Sequence, residues 1–172
     1  MSGQSFIEGK LQQRDYLLQH FSSGSEVLDI GAGQGTYWRL LGHHFKNMDA
    51  VEIHRPHISE HMLEQKYRHV YCEDISTWIP PHRYNLIIMG DVLEHLTREI
   101  GTVVIPRLCG LCDELFVVVP YRMEQGPLDG VEWETHLQTD LDREVMGARY
   151  PGLIMLTEIV RPPTIGVYVK RN

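Results

Sequence analysis

Cysteine is scarce in this sequence, with three residues in 172: Cys72, Cys109 and Cys112. An odd number of thiols does not suit the disulfide framework that holds small secreted domains together. Cys109 and Cys112 have the C-x-x-C spacing, but no second cysteine pair accompanies them to complete a metal site. We therefore expect reduced, packed thiols, as in cytosolic proteins.

Long apolar runs are also lacking. No stretch approaches the roughly 20 residues that a helix needs to span a bilayer. The first 21 residues, MSGQSFIEGKLQQRDYLLQHF, contain neither the apolar core nor the cleavage site of a signal peptide. The sequence therefore predicts a cytoplasmic protein with no membrane partner.

Basic residues are outnumbered, since 16 Lys and Arg face 23 Asp and Glu and the formal net charge is −7. A broad nucleic-acid surface needs clustered basic residues, so this balance disfavours RNA or DNA as the main partner. The hydrophobic content of 42% and the charged content of 23% are ordinary for a globular protein. We expect one domain spanning residues 1–172, because this length can bury a sizeable core.

Strand-like and helix-like segments alternate along the chain. Short apolar strands are predicted at residues 26–31, 48–53, 69–75, 84–90 and 114–120. Helices are predicted at residues 9–21, around Trp38–Phe45, at 56–67, at 94–105 and near 140–148, the last capped by Asp140. The N-terminal helix belongs to a segment at 1–24, and Pro106 is expected to end or kink its helix.

The last two strands are predicted to form an antiparallel hairpin. Residues 153–160 and 165–171 flank the short connection RPPT. The pattern as a whole predicts an α/β fold, a single doubly wound Rossmann-like sheet of seven strands with an antiparallel C-terminal hairpin. Ligands of such sheets bind beyond the carboxyl ends of the strands.

A glycine-rich turn follows the first strand in VLDIGAGQGTY, residues 27–37. Gly31 and Gly33 permit positive φ and close backbone approach, and Gly35 lets the next helix pack on the sheet. Glu52 ends the second strand, where an acid hydrogen-bonds a ribose diol in nucleotide-binding folds, and Asp74 ends the third. These three features in register predict a nucleoside-type cofactor.

The stretch LDIGAGQG resembles the first motif of class I S-adenosylmethionine-dependent methyltransferases. A dinucleotide dehydrogenase prefers G-x-G-x-x-G, whereas position 36 is Thr, and the terminal hairpin resembles the antiparallel seventh strand of the methyltransferases. The resemblance implies a methyltransferase with S-adenosylmethionine as cofactor. The cofactor-binding residues that it implies are Asp29, Gly31, Ala32, Gly33, Gly35, Glu52, Ile53, Asp74, Ile75 and Gly90.

A second motif, D-x-x-E-H, begins where the fourth strand ends. Asp91, Glu94 and His95 would share one face of a helix, and two carboxylates with an imidazole suit a divalent cation. The motif resembles E-x-x-E-H of ubiquinone-pathway O-methyltransferases and of small-RNA 3′-end 2′-O-methyltransferases, in which it holds a metal. The resemblance implies His136 as the fourth ligand of Mg²⁺ or a similar ion; Asp91 is one methylene shorter than the family's Glu.

The same residues have an interpretation without a metal. Asp91, His95 and His136 are the candidate catalytic residues, with either imidazole as general base because it titrates near neutral pH. A carboxylate at this point also suits the dipole at a helix start. Both interpretations stay open at the level of sequence.

The segment 121–139 is long for a connection without regular structure, which predicts a functional loop. We expect it to form a lid over the site, with Tyr121, Arg122, Trp133 and His136. Three other histidines, His54, His57 and His61, are interpreted as the solvated face of a helix.

The predicted activity is methyl transfer to a hydroxyl group of a small or medium-sized molecule, with metal assistance if the second motif binds a cation. Two alternatives remain. One is 2′-O-methylation of an RNA ribose, and the other is a non-catalytic, cofactor-binding subunit of another protein. The oligomeric state is not indicated by the sequence.

Overall fold

Residues 10–171 are described by the computed structural model, and their strands form one seven-stranded sheet. The strands are β1 (Glu26–Ile30), β2 (Asn47–Val51), β3 (Val70–Tyr71), β4 (Tyr84–Gly90), β5 (Cys112–Pro120), β6 (Ile154–Ile159) and β7 (Ile165–Arg171). Their order across the sheet is β3-β2-β1-β4-β5-β7-β6. The first five are parallel, whereas β7 is antiparallel to both β5 and β6. The predicted α/β fold with its antiparallel hairpin is confirmed.

Five α-helices connect or flank these strands. They are α1 (Lys10–His20), α2 (Thr36–Leu41), α3 (Arg55–Glu60), α4 (Arg98–Cys109) and α5 (Arg143–Arg149). The helix predicted at 9–21 is confirmed as α1. Residues 1–9 of the predicted N-terminal segment 1–24 lie outside the described residues.

The core has its centre at β4, which lies between β1 and β5. Leu86, Ile87, Ile88 and Met89 are all fully buried. Consecutive buried residues point to opposite faces of a sheet, so both faces of β4 are covered, as its uninterrupted apolar run predicts. The strand ends at Gly90, and Asp91 follows directly at the carboxyl edge of the sheet.

The helix predicted at 94–105 begins later than expected. Thr97 is its N-cap, and the Thr97 side chain accepts a hydrogen bond of 3.2 Å from the Ile100 amide. Glu94 and His95 instead lie in a 3₁₀ turn, Leu93–His95. Pro106 does not end the helix, which continues to Cys109.

The cap predicted for the last helix was also wrong. Asp142, not Asp140, is the N-cap of α5, and its carboxylate accepts from the Val145 amide at 2.9 Å. Asp140 instead forms an ion pair with Arg149 at 2.6 Å. Asp140 and Asp142 are equally suitable caps as far as the sequence shows. Which of them caps the helix depends on the backbone conformation in the folded protein.

Several predicted elements are present but short. The strand predicted at 69–75 is only Val70–Tyr71, and the helix predicted at 56–67 is α3 followed by the 3₁₀ turn Leu63–Gln65. Met62 interrupts that helix with a left-handed backbone, φ 48°. Within residues 10–171, no helix has the length and apolarity that crossing a membrane requires. The three cysteines do not form a disulfide with one another, and Cys112 is buried.

Candidate active site

A cavity of about 650 Å³ opens beyond the carboxyl ends of the parallel strands. The predicted site residues that line it are Gly31, Ala32, Gly33, Glu52, Ile53, Asp74, Ile75, Gly90, Asp91, Glu94, His95 and His136. Asp29 and Gly35 are not among the lining residues. Both predicted motifs therefore share one cavity, at the edge of the sheet where such folds bind ligands.

The glycine-rich turn has the backbone that its sequence predicts. Gly31, Gly33 and Gly35 all have positive φ, of 68°, 50° and 76°. A Cβ on Gly31 would lie 2.4 Å from a methyl carbon of Val92, so only glycine fits where this turn meets the end of β4. Gly35 forms the N-cap of α2 and so starts the helix rather than lining the cavity.

Asp29 lies beneath this turn. Its side chain is buried and accepts a 2.5 Å hydrogen bond from the Tyr67 hydroxyl. Burial raises the pKa of Asp29 to about 7, although the Tyr67 hydrogen bond acts in the opposite direction. The hydrogen bond thus ties the end of β1 to Tyr67 inside the protein.

Glu52 is oriented by the backbone on both sides. One carboxylate oxygen accepts from the Gly33 amide and the other from the His54 amide, each at 2.8 Å. Burial alone would raise the pKa of Glu52, but His57 and these two amides hold it below its ordinary value. Each oxygen of a carboxylate can accept a second hydrogen bond, so the group remains suited to a ribose diol.

His57 contradicts the expectation of a solvated histidine face. The side chain is 3% exposed, and its Nδ1 lies 3.7 Å from a Glu52 carboxylate oxygen. The nearby Glu52 carboxylate is the main cause that raises the pKa of His57, against the effect of burial. The chain thus places an imidazole beside the predicted ribose-binding acid.

Glu94 is the most unusual group in the cavity. Its side chain is 1% exposed, and neither carboxylate oxygen has a hydrogen-bond partner among residues 10–171. Burial, followed by the nearby charge of Asp91, raises the pKa of Glu94 well above its ordinary value. A buried carboxylate without a partner is costly, so a structure that keeps one needs an explanation.

His95 and His136 face each other beside Glu94, with their ring centroids 4.8 Å apart and their planes at 79°. The Nδ1 of His95 lies 3.1 Å from the Thr135 carbonyl oxygen, and the Nδ1 of His136 lies 3.0 Å from that of Met123. A carbonyl only accepts, so each Nδ1 donates and each Nε2 keeps its lone pair. Burial lowers the pKa of both imidazoles, that of His95 to about 4, which keeps both neutral near pH 7.

Glu94, His95 and His136 each offer one ligand atom, and these atoms all lie within 4.8 Å of one another. The helical arrangement predicted for D-x-x-E-H is wrong, because Asp91 has a left-handed backbone with φ 57° and is followed by a 3₁₀ turn. Asp91 is not part of the cluster. Its carboxylate instead lies 3.0 Å from the Nζ of Lys10, which is 2% exposed.

The segment 121–139 lines the cavity at several points, from Met123 to Leu137. Trp133 and His136 line the cavity, as predicted. Tyr121 is buried instead, and its hydroxyl contacts that of Tyr168. Arg122 points elsewhere as well, and forms a 2.6 Å ion pair with Asp142. Two of the four residues named for the predicted lid thus line the cavity, and the lid itself stays a prediction.

Two glutamines that sequence reasoning missed hold this segment in place. The side-chain Nε2 of Gln125 donates to the backbone carbonyl of Glu134 at 2.6 Å. The backbone carbonyl of Gln125 accepts from the His136 amide at 2.9 Å. Gln138 is 3% exposed and donates to the Leu93 carbonyl at 2.8 Å. A neutral amide carries no sequence signal for such a role, so neither residue stands out before the fold is known.

These features define a class of protein: an α/β enzyme with a nucleoside-type cofactor site, built on a glycine turn and an acid at adjacent strand ends. A family profile described as "Methyltransferase domain" matches residues 6–101. The chain therefore belongs to the methyltransferase-domain family, and the predicted class, an S-adenosylmethionine-dependent methyltransferase, is confirmed.

Solved structures of low sequence identity share the fold. An S-adenosylmethionine-dependent methyltransferase from Clostridium acetobutylicum has a TM-score of 0.72 at 12% identity, covering 94% of this chain and 90% of that one. The N-methyltransferase NodS from Bradyrhizobium japonicum, in complex with S-adenosylhomocysteine, has a TM-score of 0.71 at 15% identity, covering 99% and 89%.

The mitomycin 7-O-methyltransferase MmcR has a TM-score of 0.62 at 14% identity, covering 95% of this chain and 54% of that one. N- and O-methyltransferases thus both occur among proteins with this fold, so the fold leaves the acceptor atom open. No curated protein sequence matches the chain.

Proposed function

We propose that this methyltransferase transfers the methyl group of S-adenosylmethionine to a hydroxyl oxygen of a small or medium-sized molecule, assisted by a divalent cation. The supporting observation is the buried Glu94 carboxylate, which has no hydrogen-bond partner among the described residues and faces the two imidazoles of His95 and His136. Asp91, which the motif predicted as a further ligand, is left out of the proposed cation site because it pairs with Lys10.

The donor set fits a divalent cation. One carboxylate and two imidazoles suit ions of borderline hardness, and metal-binding histidines usually donate their second ring nitrogen to a carbonyl or carboxylate. His95 and His136 both do so here, toward Thr135 and Met123. A bound cation would lower the pKa of an acceptor hydroxyl and fix its position.

The residues of the chain would supply alignment and exclusion of water, since the sulfonium cofactor is already activated. Glu52 and the glycine turn would hold the ribose and the methionine part of the cofactor. The peptide segment around His136 would cover the reacting atoms, because the Leu137 and Gln138 amides both donate to the Glu94 carbonyl, at 2.8 and 3.0 Å. His95 or His136 would accept the hydroxyl proton if no cation is bound.

A small acceptor is favoured over RNA. Binding of an RNA end relies on Lys and Arg contacts to phosphate. None of the described residues that line the cavity is Lys or Arg. The alternative of a non-catalytic subunit predicts cofactor binding without methyl transfer to any acceptor.

The test combines an acceptor screen with metal removal. A library of small alcohols, phenols and vicinal diols is incubated with S-adenosylmethionine carrying a labelled methyl group, with Mg²⁺ or Mn²⁺ and then with excess chelator. We expect transfer to a hydroxyl that the chelator and Glu94→Gln both abolish, while S-adenosylhomocysteine still binds in calorimetry.

Glu60→Gln serves as the matched control, because Glu60 is an exposed residue of α3 that does not line the cavity. Full turnover in chelator would refute the role of the cation. Transfer only to nitrogen acceptors would refute O-methylation, and cofactor binding with no transfer at all would favour the non-catalytic alternative.

A further inference from the structure

An acidic turn with an aromatic residue forms part of the cavity wall. Residues Glu132–Glu134 form a 3₁₀ turn in the segment after β5, and all three line the cavity. Trp133, between the two acids, is 58% exposed despite its size. An exposed tryptophan that borders a cavity offers a large aromatic surface to a ligand.

The charge of the cavity is one-sided. Glu73, Glu132 and Glu134 line it in addition to Glu52 and Asp74, whereas the described lining residues include no Lys or Arg. Glu52 and Asp74 belong to the cofactor end. The acids of the 132–134 turn are therefore in excess of what the cofactor site uses, and together they give the cavity a negative potential.

Glu134 lines the cavity two residues before His136. Gln125 ties down the Glu134 backbone carbonyl at 2.6 Å. The carboxylate is thus held by an anchored segment rather than by a free loop.

A second, independent feature points to a ligand in the same cavity. The buried Glu94 carboxylate lacks a hydrogen-bond partner among the described residues. Several carboxylates line this cavity and no Lys or Arg does so among the described residues, and this arrangement favours a ligand of opposite charge.

We propose that the methyl acceptor is an organic cation, a molecule with a protonated amine that binds between Glu132, Trp133 and Glu134 while its hydroxyl faces Glu94, His95 and His136. Carboxylates would pair with the ammonium group, and the indole would add a cation–π contact. Acceptors with a phosphate or carboxylate group at that position would be rejected by the same charges. The proposal of a cationic acceptor rests on the proposed O-methylation in one respect only, the placement of the acceptor hydroxyl beside Glu94, His95 and His136.

The test measures binding rather than turnover, so it does not depend on the proposed chemistry. Three probes of nearly equal size are titrated by calorimetry into the 172-residue chain saturated with S-adenosylhomocysteine, in chelator and near neutral pH. They are phenethylamine, which is cationic, phenethyl alcohol, which is neutral, and phenylacetate, which is anionic. We expect the amine to bind about tenfold more tightly than the alcohol, and the acetate to bind more weakly than both.

The variant Glu132→Gln/Glu134→Gln should bind amine and alcohol equally, and Trp133→Leu should weaken binding of the amine more than that of the alcohol. Glu60→Gln should keep the wild-type preference. Equal affinities in the wild type, a preference for the acetate, or no measurable binding of the amine at millimolar concentration would overturn the proposal. This binding assay involves neither metal nor turnover, so failure of the metal-dependence test of the proposed function would leave its result unaffected. Failure of this binding assay would likewise leave the proposed O-methylation unaffected.

Discussion

Lys10 Nζ lies 3.0 Å from Asp91 Oδ2 and joins the first described helix to the residue that follows the central strand. Lys10 also donates to the Tyr37 hydroxyl at 3.3 Å, and Tyr37 in turn donates to Gln13 at 2.8 Å. Burial alone would lower the pKa of Lys10, but the interactions with Asp91 and Tyr37 together outweigh it and the pKa is raised. The ion pair thus ties Asp91 to α1.

Removal of Lys10 should therefore destabilise the protein strongly. Lys10→Met leaves Asp91 without its cation in a mostly buried position, which typically costs about 3 kcal/mol of unfolding free energy. Urea denaturation measures this loss. Lys10→Met/Asp91→Asn should recover part of it, because the uncompensated charge is gone.

Arg14→Met is the matched control, since Arg14 pairs with Asp15 on the exposed side of the same helix. That change should cost less than about 0.5 kcal/mol. If Lys10→Met cost no more than this control, the ion pair would not be a main support of α1.

The next prediction concerns cofactor affinity. Glu52→Gln should weaken S-adenosylhomocysteine binding at least about tenfold, because a charged acceptor of ribose hydroxyls is replaced by a neutral amide. Calorimetry measures the dissociation constant, and circular dichroism checks that the fold is kept. Glu60→Gln should bind like the wild type; equal affinities of all three proteins would rule out the ribose role of Glu52.

The pH dependence of stability should reveal Asp29. Its folded pKa of about 7 is above the ordinary value of 3.8, so folding favours its neutral form. This contribution is present below about pH 4 and is lost as the pH rises to about 7 and beyond. Asp29→Asn lacks the ionisation, so its stability relative to the wild type should improve as the pH rises through this range. Denaturation at a series of pH values measures the difference; a difference that does not vary with pH would disprove the raised pKa.

Gln138 should act as a positioning residue for the turn that carries Glu94 and His95. Its amide donates to the Leu93 carbonyl, and its oxygen accepts from Arg149 and Tyr150, each at 2.8 Å. Gln138→Ala removes these three buried hydrogen bonds, although Arg149 keeps its ion pair with Asp140, and we expect a loss of about 2 kcal/mol of stability.

A structural role alone would change only stability. Positioning predicts, in addition, a lower kcat at a temperature where the variant is still folded, with the cofactor affinity unchanged. Thr139→Ala, at the exposed neighbouring position, should leave both properties unaltered. An unchanged kcat in folded Gln138→Ala would contradict the positioning role.

The sequence was most informative where the signal is local. Position 31 needs a glycine because its φ is positive and a side chain there would collide with Val92. The uninterrupted apolar run of β4 likewise predicts that consecutive residues of this strand are buried. Pairs that are distant along the chain were invisible. Lys10 and Asp91 are 81 residues apart, and nothing in either neighbourhood indicates that they meet. The burial of His57 against Glu52 was missed for a similar reason, since an isolated helix pattern does not show what packs against it.

The sequence by itself determined the α/β alternation, the glycine turn and the acids at successive strand ends, because these depend on backbone conformation and on hydrophobic pattern over a few residues. Tertiary structure alone decided which of the charged residues face each other. It paired Asp91 with Lys10, left the Glu94 carboxylate beside two neutral imidazoles, and brought the acidic turn at 132–134 to the cavity. Charge interactions act through space, so their partners follow from the folded path of the chain and not from spacing along it.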